Sequence, residues 1–105
     1  MKEQKFEGAV TGKDGIYQDK TLMLEERKAV FFHMEGDQIY VDQRKEGAAA
    51  EIWYVAQYEE YAVQPARRQT VYLRSGQPLG KDRIYYLPRG MEIWIGSAKN
   101  RFLLE

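Results

Sequence analysis

His33 is the natural place to look for chemistry, because it is the sole histidine in 105 residues and the chain has no cysteine. A catalytic histidine needs a nucleophile and an orienting acid placed around it, and no grouping of that kind surrounds His33 in the sequence. It follows the apolar run Ala29-Val30-Phe31-Phe32, so it reads first as a strand-end or packed histidine and second as an anion contact. Two basic doublets, Arg44-Lys45 and Arg67-Arg68, lie in polar stretches. They read as solvated loop charges, or as a patch that meets an acidic partner surface or a phosphate. Ser75, beside Gly76, is the remaining residue that a partner or phosphate could engage. The carboxylate pairs Glu25-Glu26 and Glu59-Glu60 are adjacent, so in strands or turns they point to opposite sides and share no proton. No phosphate-cradling glycine motif is present, and no His/Asp/Glu cluster has metal-ligand spacing. No cofactor and no enzyme activity are therefore expected.

The aromatic content is high, with eight Tyr, four Phe and two Trp. Trp53, Tyr54, Tyr58, Tyr61, Tyr72, Tyr85, Tyr86 and Trp94 could stack on bases or sugars, or pack across strands. Strand alternation would turn about half of them outward, and an exposed aromatic strip on one sheet would mark a partner interface.

Elements that could hold these residues are short. The last third contains apolar runs at 71–73, 84–87, 92–95 and 102–104, separated by Ser75-Gly76, Leu79-Gly80, Pro88-Arg89-Gly90 and Gly96-Ser97. Evenly spaced β-favouring runs cut by Gly and Pro predict antiparallel strands of a sandwich or barrel. Upstream, 5–10, 21–24, 29–33 and 38–41 read as strands. Thr11-Gly12-Lys13-Asp14-Gly15 reads as a tight turn, with Ile16 and Tyr17 opening a further strand. Residues 48–63 are ambiguous. Ala48-Ala49-Ala50-Glu51 favours helix, whereas Ile52-Trp53-Tyr54-Val55 favours a hairpin that turns at Tyr58-Glu59-Glu60 and closes at Pro65. The sum is an all-β sandwich of about eleven short, mainly antiparallel strands.

Length predicts one domain spanning residues 1–105. A domain of this size buries roughly 65% of its unfolded surface, enough for a core without disulfides. Equal numbers of acidic and basic residues, 16 each, give no long-range pull toward nucleic acid or an anionic membrane. The polar start lacks the apolar region of a signal peptide, and no run is long enough to cross a bilayer as a helix. A cytoplasmic location is the expectation.

The order of these signals resembles a forkhead-associated (FHA) domain, an eleven-strand β-sandwich that commonly binds phosphothreonine peptides. Asp37-Gln38-Ile39-Tyr40-Val41, with Ala50-Glu51-Ile52 after a loop, resembles the family's D-x-I-x-V … A-x-I stretch. The stretch from Val71 to Leu79 resembles its glycine-containing hairpin. Leu87-Pro88-Arg89-Gly90-Met91-Glu92-Ile93-Trp94-Ile95-Gly96 resembles the closing L-x-x-G-D-x-I-x-I-G, and Arg101-Phe102-Leu103-Leu104 its last strand. The resemblance covers the chain from about Thr21 onward and rests on scaffold patterns. The family's recognition residues are a Gly-Arg, a Ser-x-x-His and an Asn. At those positions stand about Phe32-His33, then Glu46-Gly47-Ala48-Ala49, then Pro65-Ala66-Arg67-Arg68-Gln69. None of the three keeps its residue, so the resemblance implies a domain that has lost phosphothreonine recognition. Degenerate FHA-like domains serve as assembly modules in bacterial secretion machinery, among them N-terminal parts of type VII secretion ATPases and inner-ring proteins of type III systems. The implied role is a non-catalytic protein-interaction domain, and a protein is the implied partner. The alternative is a module that takes a phosphorylated or acidic peptide through His33, Arg44, Lys45, Arg67, Arg68 and Ser75.

Overall fold

The computed structural model describes residues 6–25, 28–36 and 38–105. The start of the first expected strand at Lys5, Glu26 of one carboxylate pair, and Asp37 of the 35–37 turn and of the D-x-I-x-V stretch lie outside these residues. Among the described residues, ten strands form in the order β1 (Phe6–Gly12), β2 (Thr21–Glu25), β3 (Val30–Glu35), β4 (Gln38–Asp42), β5 (Ala50–Val55), β6 (Glu60–Pro65), β7 (Val71–Leu73), β8 (Tyr85–Pro88), β9 (Glu92–Ile95) and β10 (Ser97–Leu104). The chain is an all-β sandwich, with ten strands where about eleven are expected. Tyr72 and Pro78 meet in an isolated antiparallel bridge, so the segment after β7 folds back as a stub too short for a ladder.

Two antiparallel sheets of five strands face each other. The first has the order β2-β1-β10-β9-β7 and the second β4-β3-β5-β6-β8. The ambiguous 48–63 segment is a hairpin. Ala50 to Val55 pair with Pro65 to Glu60 in unbroken register, and the turn passes through Glu59 at φ 52°. Cross-strand packing decides this against the helix propensity of the alanines: Ile52 and Val63 face each other with no exposure. Pro65 ends β6, where a missing N–H costs the ladder nothing. Ile16 and Tyr17 form a single 3-10 turn over Gly15–Tyr17 instead of opening a strand.

Alternation directs one face of every strand inward. Val10, Phe102, Leu104, Ile93 and Ile95 from the first sheet meet Phe32, Ile52, Tyr61 and Val63 from the second. The Phe32 and Phe102 rings bridge the sheets edge to face, with centroids 5.2 Å apart. Tyr17 closes one margin of this core. Its hydroxyl accepts the Val41 amide at 2.7 Å, which occupies a donor on the edge strand β4. On the outside of the first sheet, Asp14 clips Arg101 twice, at the backbone amide (2.7 Å) and at Nε (2.8 Å). Glu92 contacts the same guanidinium at 3.4 Å. The Asp14 hydrogen bond and charge, with Glu92 adding to them, raise the Arg101 pKa further above its already basic range.

Candidate functional site

The second sheet carries the candidate residues to one end of the sandwich. Ala50 opens β5 opposite Pro65, the last residue of β6. The loop 43–49 and the loop 66–70 therefore leave the sheet side by side. Ala66 N–H donates to the Ala49 carbonyl at 2.7 Å, and Arg67 Nη2 donates to the Gly47 carbonyl at 3.4 Å. Arg44, Lys45, Arg67 and Arg68 are all exposed there. Sequence separation of more than twenty residues between the doublets is thus cancelled by the β5–β6 register.

His33 lies at the same end but points into a closed environment, with 4% exposure. Its neighbours Phe32 and Met34 face the core, so alternation puts the imidazole on the outer side of β3. Tyr40, its partner in register on β4, stacks on it with ring centroids 4.9 Å apart and planes 6° from parallel. Nε2 lies 2.8 Å from Asp42 Oδ1 and 3.0 Å from the Arg44 carbonyl. Both partners are acceptors, so Nε2 carries the proton and donates to both. Asp42 Oδ1 also accepts the Arg44 amide at 2.8 Å, the side-chain turn typical of an Asp two residues upstream of its donor. Burial pushes the Asp42 carboxyl up, but the Arg44 amide, the His33 ring and the Arg44 side chain outweigh it, and the pKa lies below its ordinary value.

This arrangement has a clear chemical consequence. His33 is engaged in fixing the first residues of loop 43–49. Among the described residues, the hydrogen-bond partners of its ring are the Asp42 carboxylate and the Arg44 carbonyl. Among the described residues, no three His, Asp or Glu side chains gather as metal ligands. What remains accessible is a basic rim: Arg44, whose side chain is 79% exposed and only loosely paired with Asp42 at 3.4 Å, together with Lys45, Arg67 and Arg68. Ser75 is not part of it. Its turn follows Leu73, whereas the basic loop joins β7 at the opposite end through Thr70.

Residue type and spacing alone point to neither Asp42 nor Tyr40 as a site residue. The Asp42-x-Arg44 spacing at a strand end carries the signal for a side-chain turn. The role of Tyr40 depends on cross-strand register, which the local sequence does not display.

An open depression of about 240 Å³ adjoins the rim, on the outer face of the second sheet, between Phe31, Lys45, Glu51, Gln64 and Asp82. No helix among the described residues is long and apolar enough to cross a membrane. No known family model matches the chain, and no curated protein matches it in sequence.

Proposed function

We propose that this chain is a non-catalytic protein-interaction domain of FHA-like build, in which the loops 43–49 and 66–70 face a partner. The observation that carries this reading is the state of His33. The one histidine is spent on Asp42 and the Arg44 carbonyl, while four cations on two tied loops stay exposed beside it. A preordered basic loop end suits recognition of an acidic protein surface, because charge complementarity steers association and the ordering cost is already met within the fold. The resemblance to degenerate FHA-like domains of secretion machinery supports an assembly role of the same kind, with a cytoplasmic location.

A second reading is favoured by the convergence of Arg44 and Arg67 at one end: the ligand is a phosphorylated or acidic peptide. Guanidinium groups suit bidentate contact with phosphate or carboxylate. Titration calorimetry separates the two. A Glu-rich peptide, a phosphothreonine peptide and its unphosphorylated twin are titrated into the wild-type protein and the Arg67→Glu/Arg68→Glu variant. The interaction-domain reading expects the acidic peptides to bind without preference for phosphothreonine, and charge reversal to abolish that binding. Strong phosphothreonine selectivity establishes the second reading. Absence of heat with every peptide removes the basic loop end as the ligand surface.

A further inference from the structure

The two sheets differ in what they show outward. None of the residues in the five strands of the second sheet is Lys or Arg, whereas those strands hold the carboxylates Glu35, Asp42, Glu51 and Glu60. The first sheet mixes signs, and Arg101 there is neutralised by Asp14 and Glu92. On the second sheet, Asp42 is engaged by His33 and Arg44. Glu51 and Glu60 have no ion-pair partner among the described residues.

Between these two carboxylates runs an apolar strip. Ala50 and Ile52 are buried inward, so Glu51, Trp53 and Val55 point outward from β5. By the same alternation Glu60, Ala62 and Gln64 point outward from β6, and Tyr86 from β8. Register aligns Trp53, Ala62 and Tyr86 in one row across three strands. Ala62, whose register partners are Trp53 and Tyr86, has no exposure although it faces out. Tyr86 is 50% exposed and Tyr58, which meets it edge to face at 5.9 Å, is 56% exposed. The Glu51–Gln64 row lies on one side of the aromatic row, and the Val55–Glu60 row on the other. Four residues along the ladder put these two rows about 13 Å apart.

We infer that the outer face of the second sheet docks a protein segment bearing two basic side chains about 13 Å apart with an apolar side chain between them, the spacing set by the strand rise. The cations meet Glu51 and Glu60, and the apolar group rests on Trp53 and Tyr86. Aromatic faces add attraction for the guanidinium form of that cation. The Glu51 carboxylate also lines the 240 Å³ depression, whose Phe31 wall can receive the stem of a long basic side chain. This surface borders the basic loop end at Lys45, which lines the same depression, but its Glu51, Trp53, Glu60 and Tyr86 lie on the strands and suit partners of opposite charge.

The test uses the whole chain, labelled with ¹⁵N and titrated with a capped peptide of the pattern Arg-Ser-Leu-Ser-Arg, which in extended form spans the required distance. The expected result is a set of chemical-shift changes at the Trp53 indole and at the amides around Glu51, Glu60 and Tyr86. A Glu51→Gln/Glu60→Gln variant is expected to weaken binding at least about tenfold, and Tyr86→Ser to weaken it as well. Both substitutions are on the surface, and an unchanged circular dichroism spectrum shows that the fold persists. Arg67→Glu/Arg68→Glu is expected to keep the peptide bound, which separates this face from the loop end. Absence of shifts, shifts confined to the first sheet or to the loops, or equal binding of Glu-Ser-Leu-Ser-Glu overturns the inference. Sedimentation that shows concentration-dependent self-association, abolished by Tyr86→Arg, assigns the face to a second copy of this chain and likewise overturns it.

Discussion

Tyr61, rooted in β6 of the second sheet, accepts the amide proton of Ala9, on β1 of the first, at 2.9 Å. Its own proton goes back to the first sheet, toward the Ala9 carbonyl at 2.9 Å and the Glu105 carbonyl. The phenol therefore crosses the whole sandwich and ties the outgoing C-terminal strand to the incoming first strand. Gly8 makes room for it, since a Cβ there would lie 2.8 Å from the hydroxyl.

Tyr61→Phe removes that hydroxyl and leaves the Ala9 amide unpaired between the sheets. A loss of about 1–3 kcal/mol is expected, read as a lower urea midpoint with an unchanged denaturant slope. Burial raises the Tyr61 pKa above its ordinary value of 10.0. The folded state then holds its proton more tightly than the unfolded chain, so the contribution to stability is complete below about pH 10. It declines as pH rises from there through the folded value. Wild type should lose more stability than Tyr61→Phe between pH 8 and pH 11, and equal losses would remove the burial argument.

Gly12 and Gly47 should respond differently to alanine. A Cβ on Gly12 would lie 2.0 Å from the Tyr17 carbonyl oxygen, a backbone atom with no freedom to swing away. Gly12→Ala is expected to cost about 2–3 kcal/mol or more in thermal or urea unfolding. Gly47 has open space around it and a φ of 76°, so Gly47→Ala meets only the left-handed backbone penalty of about 1 kcal/mol.

Phe102→Ala should be among the most damaging single changes, at about 3–5 kcal/mol. Its ring is 1% exposed and contacts both Phe32 and Tyr17, so truncation opens a cavity where the sheets meet. Leu103, one residue on, faces outward and is half-buried, and Leu103→Ala should cost clearly less in the same urea titration.

Asp42→Ala should free the start of loop 43–49 without unfolding the sheet. The Arg44 amide loses its acceptor, and its hydrogen exchange should speed up at least about tenfold, while amides in β5 and β6 keep their protection. Because the Asp42 carboxyl lies below its ordinary value of 3.8, its contribution is present above about pH 4. It is lost as pH falls through the lowered folded value. In the wild type, Arg44 exchange should therefore accelerate below pH 4, beyond the trend of neighbouring amides, and the variant should show no such step.

Much of the scaffold is legible in the residues themselves. Val71–Leu73, Glu92–Ile95 and the stretch around Phe102 combine β-branched or aromatic side chains with glycine or proline breaks, and each forms a strand. The 48–63 segment is less legible, because the helix propensity of three alanines and the strand propensity of Ile52-Trp53-Tyr54-Val55 nearly cancel. Burial opposite Val63 tips it. The basic doublets are legible as loops, but their meeting is not, since it requires knowing that Ala50 lies opposite Pro65.

His33 marks the limit most clearly. Its type, its solitude and the apolar run before it already argue for a packed ring and against a catalytic one. Its partners depend on the β3–β4 register, which sets Tyr40 beside it, and on the side-chain turn of Asp42. The sequence by itself determined that this chain makes short antiparallel strands with charged, glycine-broken connections, because alternation and turn propensity act over a few residues. Tertiary structure alone decided which strands share a sheet. Pairings such as Val10 with Leu104 join residues at opposite ends of the chain, and no local preference encodes them. That assignment gathers the cations at one loop end, leaves the second sheet free of Lys and Arg, and runs the Tyr61 hydroxyl across the core.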